Sequence, residues 1–347
     1  MMSIMLSSSS TYDLILHSGK APFWLLNRMK KLAEPIVSLI ISEFGELELL
    51  KRLSDPIFFQ SFSNVLGFDW NSSGSTTVLT SVLKSFLNEK YSIKIAGGKG
   101  DRALKTPEEI RRLSVEVSAD PEKLIKFSRF AAKADNAALI DGYNIYHHVV
   151  LFTDKYFTVI QQGMNEKLGL ARRYHWKVYK NLPGIEEVHS GIVSDRIESS
   201  VINMQSKLSR DARKVCLEVV CDGRFKKDYE KIPKNLAPKK IDWKAIEKAY
   251  NLQPERFEDL LMIRGVGRET VRALALIAEL VYCVDYDKKD PVKYCFAVGG
   301  KDGVPFPVRR DVYDEVIAFM RDAVKRSDLS SYEKVSILRR LEKWMSS

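Results

Sequence analysis

His147, His148 and His175 lie in one β-rich stretch, with His189 just beyond it. Histidine titrates near neutral pH and can move protons, while arginine can stabilise charge developing on a phosphate. A site made of Asp141, one of the paired histidines, one of Gln161 and Gln162, Arg172 or Arg173, and His175 therefore has the composition of phosphodiester chemistry. Alternation along a strand constrains it. His147 and His148 must point to opposite faces, Gln161 is split from Gln162, and Arg173, His175 and Lys177 share a face. Asp141, His147, His148, Arg173 and His175 are the candidate catalytic residues. The same residues also read as the polar face of a sheet packed on another part of the chain or on nucleic acid. A metal-dependent version would use Asp141 or Asp154 with Glu166 and Mg²⁺ or Mn²⁺.

A second cluster runs from Leu260 to Leu274 and carries Arg264-Gly265-Val266-Gly267-Arg268. It reads as the end of one helix, a glycine-pinched turn and the start of another helix. The glycines suit crowded or positive-φ backbone, and Val266 between them can plug the seam of the two helices. The second helix opens with free N–H groups, an anion-binding arrangement, and Arg264, Arg268 and Arg272 flank it. The pattern resembles the helix-hairpin-helix motif, which grips nucleic-acid phosphates without reading bases. A plain αα-hairpin is the simpler alternative. Just upstream, residues 224–244 hold eight Lys/Arg against three Asp/Glu, Lys226 and Lys227 among them, with Pro233 and Pro238 interrupting any helix. Such a stretch is a basic linker or arm and adds sequence-blind phosphate affinity.

The elements that must hold these residues are legible in outline. Helical spacing runs from Trp24 to about Phe44, with Pro35 as a kink or boundary. Asp55-Pro56 starts a helix that ends at Gly67, and a polar loop at 69–76 precedes a helix from Thr77 to Asn88. Tyr91 to Ala96 alternates like a strand and ends in Gly97-Gly98-Lys99-Gly100. That glycine run has no P-loop pattern and reads better as a strand-terminating turn than as a phosphate cradle. Thr106-Pro107 and Asp120-Pro121 start two further helices. IYHHVVLFT and YFTVIQQGM, joined by Asp154-Lys155, form an antiparallel hairpin extended by RYHWKVY. Helix is expected again from about Ser194 to Val220, and beyond Asp242.

Length and composition frame the whole. The 347 residues suffice for two domains. The expectation is α+β: a mixed domain over 1–220 with a small antiparallel sheet at 141–180, a basic linker at 221–241, and an all-helical helix-hairpin-helix domain over 242–347. A net charge of +10 makes nucleic acid the first partner to consider. The spacings of Cys216, Cys221, Cys283 and Cys295 suggest neither a disulfide framework nor a common zinc site. No apolar run approaches a membrane span, and MMSIMLSSSS has no signal-peptide pattern, so a cytoplasmic protein is expected.

The motifs LILHSGKAPFWL, LSDPIFFQ, LGFDWNSSGSTT, AGGKG, DGYNIYHH, QQGMN and ARRYHW, read in order, resemble domain-of-unknown-function family 763, found in archaea and bacteria. That resemblance covers nearly the whole chain and implies only a connection with DNA metabolism. The C-terminal part is more loosely similar to helix-hairpin-helix DNA glycosylases such as the 8-oxoguanine enzymes. Their hairpin carries a lysine nucleophile, and an aspartate follows a later Pro-Val. Here Glu269 stands in place of the lysine, and Arg309 follows Pro307-Val308, with Asp311 two residues further on. A Schiff-base mechanism needs an amine that Glu269 cannot supply. The histidine-bearing sheet, for its part, is faintly similar to restriction-type nucleases, but Gln161-Gln162 replaces their carboxylate-x-lysine. The leading expectation is a DNA-binding protein of repair or processing that uses the hairpin as a phosphate clamp. A metal-dependent nuclease, a glycosylase with a non-standard catalytic residue, and an RNA- or ribosome-associated factor remain as alternatives.

Overall fold

The computed structural model describes residues 21–68, 73–194 and 196–293, with scattered positions between 318 and 339. The chain opens with four helices: α1 (Phe23–Phe44), α2 (Glu46–Ser54), α3 (Pro56–Val65) and α4 (Gly74–Lys90). Pro35 lies inside α1 without ending it. Asp55 caps α3, its carboxylate accepting from the Phe58 N–H at 2.8 Å. Strand β1 (Lys94–Lys99) follows, then α5 (Asp101–Leu104), α6 (Thr106–Glu116) and α7 (Pro121–Lys133). Asp120 caps α7, accepting from the N–H groups of Glu122 and Lys123. The chain then widens into a π turn, Ala134–Ala138, leading to β2 (Leu139–Ile140).

Three long strands come next, β3 (Asn144–Phe152), β4 (Phe157–Asn165) and β5 (Leu170–Trp176), followed by β6 (His189–Val193) and β7 (Ile202–Asn203). A five-stranded antiparallel sheet runs in the order β1-β3-β4-β5-β6, and β2 pairs with β7. The chain ends its described part with α8 (Arg210–Cys221), α9 (Phe225–Tyr229), α10 (Trp243–Leu252), α11 (Phe257–Met262) and α12 (Arg268–Tyr282). The protein is thus mixed α+β with a small antiparallel sheet.

Three expectations need correction. The first strand begins at Lys94, not Tyr91, and runs through Gly97 and Gly98. Its register opposite β3 accommodates them: Gly97, at φ +104°, lies against the backbone of His148. The helix expected from about Ser194 begins as α-helix only at Arg210; before it come β7 (Ile202–Asn203) and a short 3-10 turn at Lys207–Ser209. The stretch 221–241 is not a free linker, because Phe225, Asp228 and Ile232 are buried in it.

The sheet is covered on both faces. One face packs Ile95, Val149, Leu151 and Ile160 against Ile36, Leu50, Phe59 and Leu83 of the first four helices. The other packs Val150, Val159 and Trp176 against Phe127 and Phe130 of α7, and this core continues without a break into Val219, Leu260, Val266 and Leu274. At the β1 edge, side chains satisfy outward backbone groups. Asn88 both accepts from the Ile95 N–H and donates to the Ile95 carbonyl, at 2.7 and 2.9 Å. Glu109 accepts from the Gly97 N–H, and Lys84 donates to the Gly97 carbonyl. An edge occupied in this way is closed to a further strand. No helix among the described residues is long and apolar enough to cross a membrane.

Candidate functional site

The strand register separates the candidate catalytic residues. His147, Gln162 and Arg173 stand opposite one another on three adjacent strands and face α1–α4, with His175 two residues along on the same face. His148, Gln161 and Tyr174 form the corresponding row on the α7 face, and Arg172 shares that side. Asp141 joins Arg172 and Tyr174 there. Asp141, His147, His148, Arg173 and His175 therefore do not converge on one site. All five are buried.

Four of them belong to packed polar networks, and His175 packs on Phe59. On the α1–α4 face, the Arg173 guanidinium lies 4.7 Å from the Phe59 ring centre and donates to Gln60 Oε1 at 3.2 and 3.3 Å. Gln162 donates to the Ser73 carbonyl and the Tyr146 hydroxyl and accepts from Thr76. His175 sits edge-on to Phe59, and burial followed by the charge of Arg173 holds its pKa well below the ordinary histidine range. Its side chain is also inaccessible, so no substrate can reach the ring.

On the α7 face a chain of hydrogen bonds runs inward. The Ser128 hydroxyl meets His148 Nε2 at 2.8 Å, and His148 Nδ1 meets Gln161 Oε1 at 2.8 Å. The Gln161 amide in turn donates to Asp135 Oδ2 at 2.6 Å. Asp135, fully buried in the π turn, also accepts from Trp176 Nε1 and His189 Nε2, both at 2.8 Å, and from Gln205 Nε2 at 3.1 Å. Ser128 and His148 have the spacing of a nucleophile and its base. With 4 % and 5 % of their surfaces exposed, they leave no room for a substrate. Sequence reasoning missed Asp135 because a π turn has no short-range signature.

Arg172 anchors a third network. It donates to Asp141 Oδ2 at 2.9 Å and forms a bidentate pair with Asp290 at 3.1 and 2.8 Å, all three side chains being inaccessible. The Tyr174 hydroxyl and Tyr143 N–H also donate to Asp141. Desolvation nevertheless raises the Asp141 pKa, opposed by Arg172. These contacts leave little of Asp141 for a metal. Asp154 and Glu166 are both exposed, but they lie beyond opposite ends of β4, whose nine residues span roughly 30 Å. No group of three or more His, Cys, Asp and Glu side chains among the described residues is arranged to hold a metal ion.

The turn between α11 and α12 is different because it reaches the surface. Gly265 adopts φ +96°, and a Cβ there would come within 2.5 Å of Asp242 Oδ2 and 2.6 Å of the Ala245 Cβ. Val266 is fully buried in the core below. Gly267 has extended backbone, φ −134° and ψ −167°. A Cβ on Gly267 would meet nothing nearer than the Gly265 carbonyl at 3.9 Å. Arg264 and Arg272 are exposed. Arg268 instead donates to the Asn136 carbonyl at 3.0 Å and the Tyr143 carbonyl at 2.8 Å, and Lys133 donates to the Val266 carbonyl. Lys226 and Lys227 are exposed on α9, whose neighbour Arg224 bonds the Tyr282 hydroxyl at the far end of α12. Pro307, Val308, Arg309 and Asp311 lie outside the described residues, as does Cys295. Glu269 opens α12, as its position in the sequence required.

The architecture is thus a helix-covered antiparallel sheet with buried polar networks on both faces and a basic, glycine-containing turn at its surface. The chain belongs to the family described as protein of unknown function (DUF763), whose model matches residues 10–308. No curated protein and no solved structure matches the chain.

Proposed function

We propose that the protein binds duplex DNA in repair or processing, holding the sugar-phosphate backbone without reading sequence, and that α11, the turn and α12 act as a helix-hairpin-helix. The contrast between the two glycines of the turn carries this reading. Packing explains Gly265, where a side chain would strike Asp242 and Ala245. Among the described residues no contact explains Gly267, where a Cβ would meet nothing nearer than 3.9 Å. A bare Cα at the start of a helix lets an external phosphate approach the free N–H groups of the first turn. Arg264 and Arg272 are available to flank that phosphate, while Arg268 and Lys133 tie the turn down from behind. Exposed Lys226 and Lys227 add to the basic surface.

The test uses fluorescence anisotropy of a labelled duplex over a range of salt concentrations. Replacing Arg264 and Arg272 by Ala should weaken binding to all sequences alike and lower the salt slope by about 0.9 for each phosphate that is no longer neutralised. Gly267→Val should weaken binding while leaving the melting temperature unchanged. Unaltered affinity and slope in both variants would mean that the turn is purely structural. Strand scission with Mg²⁺ or Mn²⁺, or release of a free base, would add catalysis to the clamp.

A further inference from the structure

A cavity of about 560 Å³ opens on the α1–α4 side of the sheet, at the end of β1. This is within the usual size range of small-molecule sites. Its charged lining is entirely basic: Lys84 from α4, Lys99 from the end of β1 and Arg102 from α5. Lys84 already donates to the Gly97 carbonyl and to Glu109, which leaves one N–H of its ammonium group. Lys99 and Arg102 are exposed and pair with no carboxylate among the described residues; Lys99 stands 5.7 Å from the Tyr146 ring centre. The lining also includes the apolar side chains of Leu26, Val78 and Val149.

His147 lines the same cavity and is itself 1 % exposed. Its tautomer follows from its neighbour. The Thr80 hydroxyl donates to the Thr76 carbonyl at 2.8 Å, so at 3.1 Å it must accept from His147 Nε2–H. Nδ1 is then left with a lone pair and no donor among the described residues. Burial, followed by the neighbouring His148 ring, pushes the His147 pKa down to about 3, so the ring is neutral at physiological pH. A buried acceptor with no donor is costly unless something fills the role. The backbone amides of the glycine run do not cradle an anion here, because the N–H groups of Gly97 and Gly100 donate to Glu109 and to the Tyr146 carbonyl.

We propose that this cavity binds a small organic phosphate of nucleoside-monophosphate size. The phosphate lies against Lys99, Arg102 and the remaining N–H of Lys84. The organic body covers Leu26, Val78 and Val149, and a hydroxyl or amino group of the ligand donates to His147 Nδ1. The site is separate from the turn at 263–267 and does not depend on its role.

Isothermal titration of the full chain with AMP, adenosine and inorganic phosphate tests the assignment. Saturable AMP binding is expected, with adenosine weaker by roughly tenfold or more and inorganic phosphate competing. The double variant Lys99→Ala, Arg102→Ala should lose roughly a hundredfold in AMP affinity with an unchanged melting temperature, since both side chains are exposed. The Arg264→Ala, Arg272→Ala variant should bind AMP as the wild type does. Absence of saturable binding by both AMP and phosphate at millimolar concentration would overturn the proposal. So would adenosine binding as tightly as AMP, or AMP affinity that depends on Arg264 and Arg272 but not on Lys99 and Arg102.

Discussion

Replacing Asp135 should destabilise the protein far beyond the loss of one surface carboxylate. Its two oxygens receive four donors, but these are not equally dependent on it. Gln161 Nε2 also donates to the Ala131 carbonyl at 3.1 Å, and Gln205 Nε2 to the Ala134 carbonyl at 2.8 Å. Among the described residues Trp176 Nε1 and His189 Nε2 donate to Asp135 alone. Asp135→Ala therefore orphans two buried donors at about 1–3 kcal/mol each, or roughly 2–6 kcal/mol in total. That is a large part of the ~5–15 kcal/mol net stability of an ordinary domain. Asp135→Asn should be no milder, because Oδ1 and Oδ2 each receive two donors and either amide orientation sets an NH₂ against a pair of them. Urea unfolding followed by midpoint and slope measures both variants. A double-mutant cycle with Trp176→Phe should return a coupling of about 1–3 kcal/mol, since removing the indole N–H matters less once its acceptor is gone. If both Asp135 variants stay within about 0.5 kcal/mol of wild type at unchanged slope, the carboxylate is not the hub described here.

Three other outcomes follow from the same geometry. His147, His148 and His175 are held neutral chiefly by burial. Below pH 6.5 the unfolded chain takes up protons that the folded chain refuses, so stability falls as pH falls. His147, with its pKa near 3, should alone lower it by about 1.4 kcal/mol between pH 7.5 and 5.5, and His148 and His175 act in the same direction. Asp141, whose pKa is raised, works the other way by at most one proton lower on the scale. A urea midpoint constant over that interval would contradict the account. Gly265→Ala should cost about 1–3 kcal/mol from positive φ and contact with Asp242, whereas Gly267→Ala should be close to neutral; thermal denaturation compares them. Arg172→Met should cost about 3–5 kcal/mol by leaving Asp141 and Asp290 buried without their cation, as read by chemical denaturation.

Local signals in the sequence carried far. Asp55 and Asp120 cap their helices because a cap needs only the next three residues, and the β3–β4 hairpin follows from two alternating runs around Asp154-Lys155. Period-two alternation set His147 and His148 on opposite faces, as the register does. Long-range pairing was not legible. Arg172 finds Asp290 across 118 positions, and Gln162 finds Thr76 across 86. Strand β7 lies inside the stretch read as helical, and its two residues are too few to carry an alternating pattern. The candidate site suffered most. Histidine and arginine on neighbouring strands suggested chemistry, but helices cover both faces and turn those groups into buried structural polar contacts.

The ties behind the α11–α12 turn bear on how the chain can be divided. Lys133 and Arg268 join that turn to the end of α7, the π turn and Tyr143 just before β3, across 133 and 125 to 132 positions, and Val266 lies in a core shared with Phe127 and Trp176. Contacts of such sequence separation cannot be made by residues 257–282 alone. Grafting residues 257–282 onto another scaffold would transfer the sequence of a phosphate grip without the lysine, arginine contacts and apolar floor that hold it open. The turn is thus a surface feature of the whole protein, not a transplantable cassette.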